Sequence, residues 1–297
     1  MGDPVTIGLV VAIGVAAGVV GGLAGIGGSI VMLPALGLIL GYEPGRSGAQ
    51  HHLYMAAAMV VNAVVSIAAV RRHAKAKAVR MDLWRWLLPG MGLGILGGVE
   101  LSARLGGNAA KLWLAVFLIA YCLYNAATAI WGAPEGTERG ERALWVVPLV
   151  SGLVVGVIAG FLGIGGGIVL VPILVLAVRT PTRQAIATSA SVMAVTSVLG
   201  AGYKIWSLGS PQIGADRWAA VVLAVPMSVG AYIGAPIGAN LTHTLKLPHL
   251  KLIISIVLAA AGVRLAVDRP DAAAGPPAEE TESESERLPE RQPGPGA

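Results

Sequence analysis

Charged side chains are scarce in this chain of 297 residues. Asp, Glu, Lys and Arg together make up 12% of the residues, about half the share found in a typical water-soluble domain. With 55% hydrophobic residues and a mean hydropathy of +0.74, the chain carries more apolar surface than one soluble core could bury. These values exclude an ordinary soluble protein and predict a polytopic membrane protein.

Several other signals are missing. The single cysteine, Cys122, excludes an internal disulfide. No Walker sequence is present, which favours coupling to a gradient over coupling to ATP. The residues before the first apolar run carry no Lys or Arg, so we expect a retained first helix and not a removed signal peptide. The net charge of +5 comes largely from basic residues in short loops, which indicate membrane topology and not nucleic acid binding.

The most informative feature present is an internal repeat. Residues 25–34 read GIGGSIVMLP, and GIGGGIVLVP follows 138 residues later at 163–172. Extending the comparison back to Gly14 and Gly152 leaves 11 of 21 positions identical. The chain is therefore predicted to consist of two related halves. Glycine-interrupted hydrophobic segments at corresponding places in two halves indicate a transporter binding site.

The apolar runs agree with a duplication, because five fall in each half. They span 5–24, 28–41, 50–70, 83–101, 109–131, 144–163, 166–178, 184–203, 218–237 and 249–267. Most can cross a hydrocarbon core of about 30 Å, but the second run of each half would rise only about 20 Å as a helix. We expect each of these two short helices to follow a break inside the membrane.

The predicted fold is all-α, with two inverted repeats of about five helical segments each and the glycine-broken short helices meeting near the bilayer midplane. The repeats are assigned to residues 1–131 and 144–267. Residues 132–143 are predicted to be a cytoplasmic linker, and residues 268–297, rich in Pro, Glu, Ser and Gly, a disordered acidic tail.

Loop charges predict the orientation. The basic cluster at 71–80 is assigned to the cytoplasm by the positive-inside rule. Its counterpart in the second half, the weakly charged segment from Lys204 to Arg217, is assigned to the outside as a loop. The N-terminus is then outside as well. Arg104 and Lys111 also fall outside, which is a mild conflict with the same rule.

A glycine run followed by a short helix can bind an anion. The backbone can approach a ligand closely, and the N–H groups of the first helical turn point at it. Polar residues of the following helix could complete the site. The predicted substrate-binding residues are Gly25, Gly27, Gly28, Ser29, Gln50, His51, Gly163, Gly165, Gly166, Gly167, Thr188 and Ser189. The alternative is that the glycines serve only helix crossing, as the spacing of Gly14, Gly18 and Gly22 suggests.

Three ionisable residues are candidates for proton coupling: His51, His52 and Glu100. A histidine within a membrane is costly unless partnered, and its ordinary titration range suits proton transfer. The alternative for both histidines is a solvated pair at the membrane interface. The alternative for Glu100 is an ion pair with Arg104, one helical turn later.

The doubled glycine motif with Pro34 and Pro172, the Ala-Thr-Ser sequence at 187–189 and the five-plus-five layout resemble the TauE/SafE sulfite exporter family over residues 5–267. The resemblance implies a permease of a bacterial plasma membrane that transports small sulfur-containing anions such as sulfite or organosulfonates, usually outward. His51 and His52 stand where the resemblance leads us to expect Thr and Ser. This departure leaves the anion and the coupling ion open.

The sequence therefore predicts a secondary transporter whose partners are a small anion and the lipid bilayer. A homodimer is left open, and no cofactor, metal site or catalytic residue is predicted. An anion channel is the main alternative, because the same site could form without alternating access. An intramembrane enzyme using Ser29 or Ser189 with His51 is a weaker one, since the chain has no Gly-x-Ser-x-Gly sequence. The last alternative is a structural or sensory protein.

Overall fold

The computed structural model describes residues 3–24, 27–75, 78–131, 145–241 and 262–263. Its secondary structure over these ranges is helical, without a strand. The helices are α1 Pro4–Ala24, α2 Ser29–Ile39, α3 Ser47–Lys75, α4 Met81–Leu105, α5 Gly107–Trp131, α6 Val146–Leu162, α7 Gly167–Leu176, α8 Thr182–Leu208 and α9 Arg217–Leu241.

These helices follow the predicted apolar runs closely. Six of them, α1, α3, α4, α5, α8 and α9, are long and apolar enough to cross a membrane. The all-helical polytopic fold is therefore confirmed, while the opposite orientation of the two halves stays a prediction. The linker 132–143, the tail 268–297 and all of the tenth run except 262–263 lie outside the described residues.

The two short helices begin after glycine breaks, as the sequence predicted. Helix α2 has 11 residues and α7 has 10. Helix α6 ends at Leu162 because Gly163 takes a left-handed backbone conformation, with φ of 72°. Gly165 and Gly166 also have positive φ, at 74° and 78°. Residues with side chains rarely adopt this conformation, so the glycines themselves end one helix and allow the next to start in a new direction.

The two halves are interlocked. Helix α1 of the first half packs mainly along α9 of the second, and α6 of the second half packs mainly along α4 of the first. Helices α1 and α6 begin the two halves, while α4 and α9 are the fourth helices. Each half thus supplies its first helix to the fourth helix of the other, and α3 and α8 contact each other between these two pairs.

Glycines make these helix pairs possible. A Cβ atom on Gly18 would lie 2.8 Å from Cα of Ala231, and one on Gly94 would lie 2.9 Å from Cα of Gly156. Side chains there would push the backbones apart, so these glycines serve helix crossing, as the spacing of Gly14, Gly18 and Gly22 predicted for the first helix. The glycines at the breaks have other neighbours: Gly27, Gly163 and Gly165 lie against α3, whereas Gly28 lies against α1 and Gly166 against α4 and α6.

The α4–α6 contact gives the first testable prediction. Gly94→Leu should lower the free energy of unfolding by about 1–3 kcal/mol or more, because the added side chain must enter a closed backbone contact. Gly97→Leu is the matched control, since a Cβ at Gly97 on the same helix meets nothing within 4 Å. Thermal unfolding of the two purified variants in detergent measures the difference. Equal melting temperatures would show that the contact is not tight.

Candidate functional site

Asn62, near the middle of α3, holds the start of α2. Its side chain is fully buried. Oδ1 accepts hydrogen bonds from the backbone N–H groups of Gly28 at 2.9 Å and Ser29 at 3.1 Å. Nδ2 donates to Oγ of Ser29 at 2.7 Å. Gly28 has no side chain to cap the helix, so an asparagine from a different helix satisfies the N–H groups that every helix start leaves open.

The second glycine break lies against the same asparagine. A Cβ atom added to Gly165 would collide with the side-chain amide of Asn62. Met193 of α8 lies beside both breaks, with its Cε 3.0 Å from a Cβ built on Gly27 and 3.4 Å from one built on Gly165. The broken helices of the two halves therefore meet at one buried place. We call the group formed by Gly27, Gly28, Ser29, Gly165 and Asn62 the central site.

The amides of α2 are not open at the central site in this conformation. The sequence predicts unpaired N–H groups there, whereas Asn62 Oδ1 accepts from those of Gly28 and Ser29. The partial positive charge at a helix start attracts an oxygen atom, and the uncharged amide oxygen takes that place. An oxyanion that binds to these amides would have to displace the Asn62 oxygen.

The other predicted binding residues of α3 and α8 lie in three different places. Ser189 is buried and its hydroxyl contacts Sδ of Met193 at 3.8 Å, which connects it to the central site. Gln50 Oε1 instead accepts from the backbone N–H of Glu43 at 2.6 Å. Thr188 Oγ1 accepts from the backbone N–H of Arg80, just before α4, at 3.0 Å. Whether these residues bind a substrate stays a prediction.

His51 and His52 are buried, with 0% and 2% of their surface exposed, unlike the solvated pair considered as an alternative. Nδ1 of His51 lies 3.0 Å from the hydroxyl of Tyr42, and Nδ1 of His52 lies 2.8 Å from Nζ of Lys204. Nε2 of each ring has no hydrogen-bond partner. The histidines precede Asn62 by about three helical turns, or about 15 Å along α3. They therefore lie nearer one end of the bundle than the central site.

Two lysines in this region were assigned to the outside from the sequence. Lys204 was predicted to begin a loop, but α8 continues to Leu208 and Lys204 is fully buried inside it. Its Nζ also donates to Oγ of Ser102 at 2.8 Å. Lys111 is 4% exposed, and its Nζ lies 4.1 Å from the centre of the Tyr42 ring. The loop assignment of Lys204 is wrong because hydropathy alone places a lysine in a loop, whereas four-residue spacing from the buried Gly200 places Lys204 on the inner face of α8. The side of the membrane stays a prediction for both lysines.

Glu100 contacts neither Asn62 nor the two histidines in the described hydrogen bonds, and 42% of its side chain is exposed. Its carboxylate accepts from Nε of Arg104 at 2.8 Å and from the Tyr203 hydroxyl at 3.0 Å. The ion pair considered in the sequence analysis is therefore present, and proton coupling through Glu100 stays a prediction.

The serines of the enzyme alternative have other partners. Ser29 is bonded to Asn62, and Ser189 contacts Met193. His51 is instead paired with Tyr42. In the described part of the chain no group of three or more His, Cys, Asp or Glu side chains is placed to hold a metal ion.

The fold and the central site define a class of protein. Helices long enough to cross a membrane, arranged as two related halves whose broken helices meet in the buried centre, are typical of membrane transporters. The family model that describes the sequences of the sulfite exporter TauE/SafE family matches residues 10–265. The chain belongs to this family.

Relatives from bacteria and archaea carry transporter names. The chain is 26% identical over 271 residues to probable membrane transporter protein YunE of Bacillus subtilis, covering 86% of this chain and 96% of that protein. A protein of Methanocaldococcus jannaschii, also named a probable membrane transporter protein, is 25% identical over 86% of this chain and 93% of its own length. MamO of Magnetospirillum gryphiswaldense, another probable membrane transporter protein, is 29% identical over 84% of this chain but only 43% of its own. No solved structure matches the chain.

The hydrogen bonds of Asn62 give the second prediction. Asn62→Ala should lower the free energy of unfolding by about 1–3 kcal/mol, because two buried N–H groups and the Ser29 hydroxyl lose their partner. Ser29→Ala should cost less, about 1 kcal/mol, since it removes one bond and leaves the cap in place. The double variant should lose less than the sum of the two single variants, because the residues share a bond. Thermal or denaturant unfolding tests this, and a fully additive result would contradict the coupling.

Proposed function

We propose that the protein is a secondary transporter that exports a small sulfur-containing oxyanion, such as sulfite or an organosulfonate, across a bacterial plasma membrane by alternating access. The observation that carries the proposal is the meeting of two glycine-broken helices, one from each half, at Asn62. The sulfite exporter family supports the choice of anion.

The chemistry of the central site suits an oxyanion. Anion oxygens would replace Asn62 Oδ1 at the N–H groups of Gly28 and Ser29. The freed carboxamide of Asn62 could then turn its Nδ2 toward the anion, beside the Ser29 hydroxyl. A partly buried helix start favours a negative charge by up to about 2 kcal/mol. Such moderate attraction allows the anion to be released on the other side.

In this proposal the two interlocked helix pairs are the units that move during transport. The α1–α9 and α4–α6 pairs are each held by close backbone contacts along their length, so each is expected to move as a unit. Helices α3 and α8 lie between the pairs and carry Asn62 and Met193, which line the central site. Rocking of one pair against the other would open the central site first to one side of the membrane and then to the other.

The third prediction tests the central site. Gly165→Ala should reduce sulfite efflux from proteoliposomes at least tenfold, because the added methyl group collides with the Asn62 amide. Gly214→Ala is the matched control. Gly214 also has a positive φ, of 60°, but a Cβ there meets nothing within 4 Å. It therefore reproduces the backbone strain without the collision and should retain efflux. Undiminished efflux in folded Gly165→Ala protein would refute the site.

The fourth prediction separates a carrier from a channel. Efflux by a carrier should saturate as the internal sulfite concentration rises, since each cycle moves a bound anion through a conformational change. If protons are the coupling ion, an imposed proton gradient should also change the rate. Flux that stays linear in concentration and ignores the gradient would favour the channel. Wild-type protein that moves neither sulfite nor methanesulfonate would contradict the proposed substrate class.

A further inference from the structure

A lysine is buried away from the central site. Lys204 is fully buried in α8, and the two side chains that its Nζ contacts, His52 and Ser102, are not acidic. Within the described ranges no Asp or Glu side chain is buried. An ammonium group inside a membrane protein is costly without a negative charge close by. The missing negative charge can be supplied by a ligand.

Side chains from four helices meet around this lysine. His51 and His52 lie at the start of α3, Ser102 near the end of α4, Lys111 near the start of α5 and Lys204 near the end of α8. All of these helix ends fall at the same end of the bundle. Lys204 contacts His52, the next residue to His51, and Lys111 lies over the ring of Tyr42, whose hydroxyl contacts His51. We call His51, His52, Lys111 and Lys204 the lysine–histidine cluster.

The hydrogen bonds around Lys204 determine the role of His52. The Ser102 hydroxyl donates its hydrogen to the Val99 carbonyl at 2.8 Å, so its oxygen accepts from Lys204. A charged lysine can donate hydrogen bonds but cannot accept them. His52 Nδ1 therefore accepts a hydrogen bond from Lys204, as the Ser102 oxygen does. The ring hydrogen of neutral His52 is then on Nε2, which is buried and has no partner.

His51 repeats this arrangement beside the second lysine. Its Nε2 is also buried without a hydrogen-bond partner, and it carries the ring hydrogen when the Tyr42 hydroxyl donates to Nδ1. Lys111 lies over the Tyr42 ring. The cluster therefore has two buried histidine Nε2 atoms without partners beside two lysines, and both carry a hydrogen when Tyr42 donates to His51. A buried donor without an acceptor is unfavourable, and the oxygen atoms of an oxyanion are suitable acceptors for both of them.

We propose that the lysine–histidine cluster is a second anion site, which holds a small oxyanion between one membrane face and the central site. One anion oxygen accepts from each histidine Nε2, and the ammonium groups of Lys204 and Lys111 balance the charge. The proposal rests on the proposed transport function for its physiological anion. The binding itself does not require transport, so the two can be tested separately.

The test is equilibrium binding of sulfite, with methanesulfonate as an oxidation-resistant second probe, to the purified full-length chain in detergent. Calorimetry should find two sites in the wild type. Lys204→Gln should weaken one site at least tenfold, about 1.4 kcal/mol, and leave the other in place. Lys111→Gln, on a different helix, should weaken the same site. If one of these variants does not fold, the other gives the same test.

Two controls complete the experiment. Arg104→Gln removes a positive charge at the same end of the bundle, but from a side chain that is 73% exposed, so it should leave both affinities within twofold. Gly165→Ala should lose the central site and retain the cluster site. Unchanged binding in folded Lys204→Gln and Lys111→Gln would overturn the second site. Chloride binding as tight as sulfite binding would overturn its assignment to an oxyanion.

The outcomes also distinguish this inference from the proposed function. Wild-type protein that binds sulfite through Lys204 but moves none across a membrane would contradict the transport proposal and support the second site. Sulfite transport that is unaffected at every concentration by Lys204→Gln, together with unchanged binding, would support the transport proposal and exclude the second site.

Discussion

The arrangement depends on one buried hydrogen-bonded side chain that belongs to neither broken helix. Asn62 caps α2 and lies against the glycine break before α7. A carboxamide suits this place because it accepts and donates without a net charge, and therefore needs no counter-ion in the membrane. The residue 138 positions later is Gly200, so the second half has no equivalent asparagine. The two halves are related in sequence, but a single side chain serves both breaks.

The features that could be predicted from the sequence are those fixed locally. The break before α7 follows from glycines at 163, 165 and 166, because glycine adopts the positive φ found there without the steric cost that a side chain would bring. The lengths of the apolar runs likewise predicted α2 and α7 as short helices. The partners of the site residues could not be predicted in this way. Asn62 lies on the same helix as His51 about three turns later, yet Asn62 bonds the start of α2 and His51 contacts Tyr42 in the loop after α2.

The burial of Lys204 and Lys111 could not be predicted from the sequence for the same reason. Lys204 contacts residues 102 and 152 positions earlier in the chain, and no local pattern reports such pairings. The resulting polar regions differ in kind, since the central site is neutral and the lysine–histidine cluster is basic. In the proposed transport cycle, this difference in charge gives the two regions different roles. A basic region near one face gathers an anion, and a neutral centre holds it weakly enough for release.

The exchange of first helices between the halves also affects how the chain is made. Helix α6 follows α4 by 40 intervening residues, whereas 192 residues separate the end of α1 from the start of α9. During synthesis at the ribosome, α6 can therefore dock soon after it enters the bilayer, while α1 must wait until nearly the whole protein has been inserted. Until then its glycine face is exposed to lipid or to the insertion machinery. Nascent chains truncated before α9 should for this reason be the species that quality-control proteases recognise.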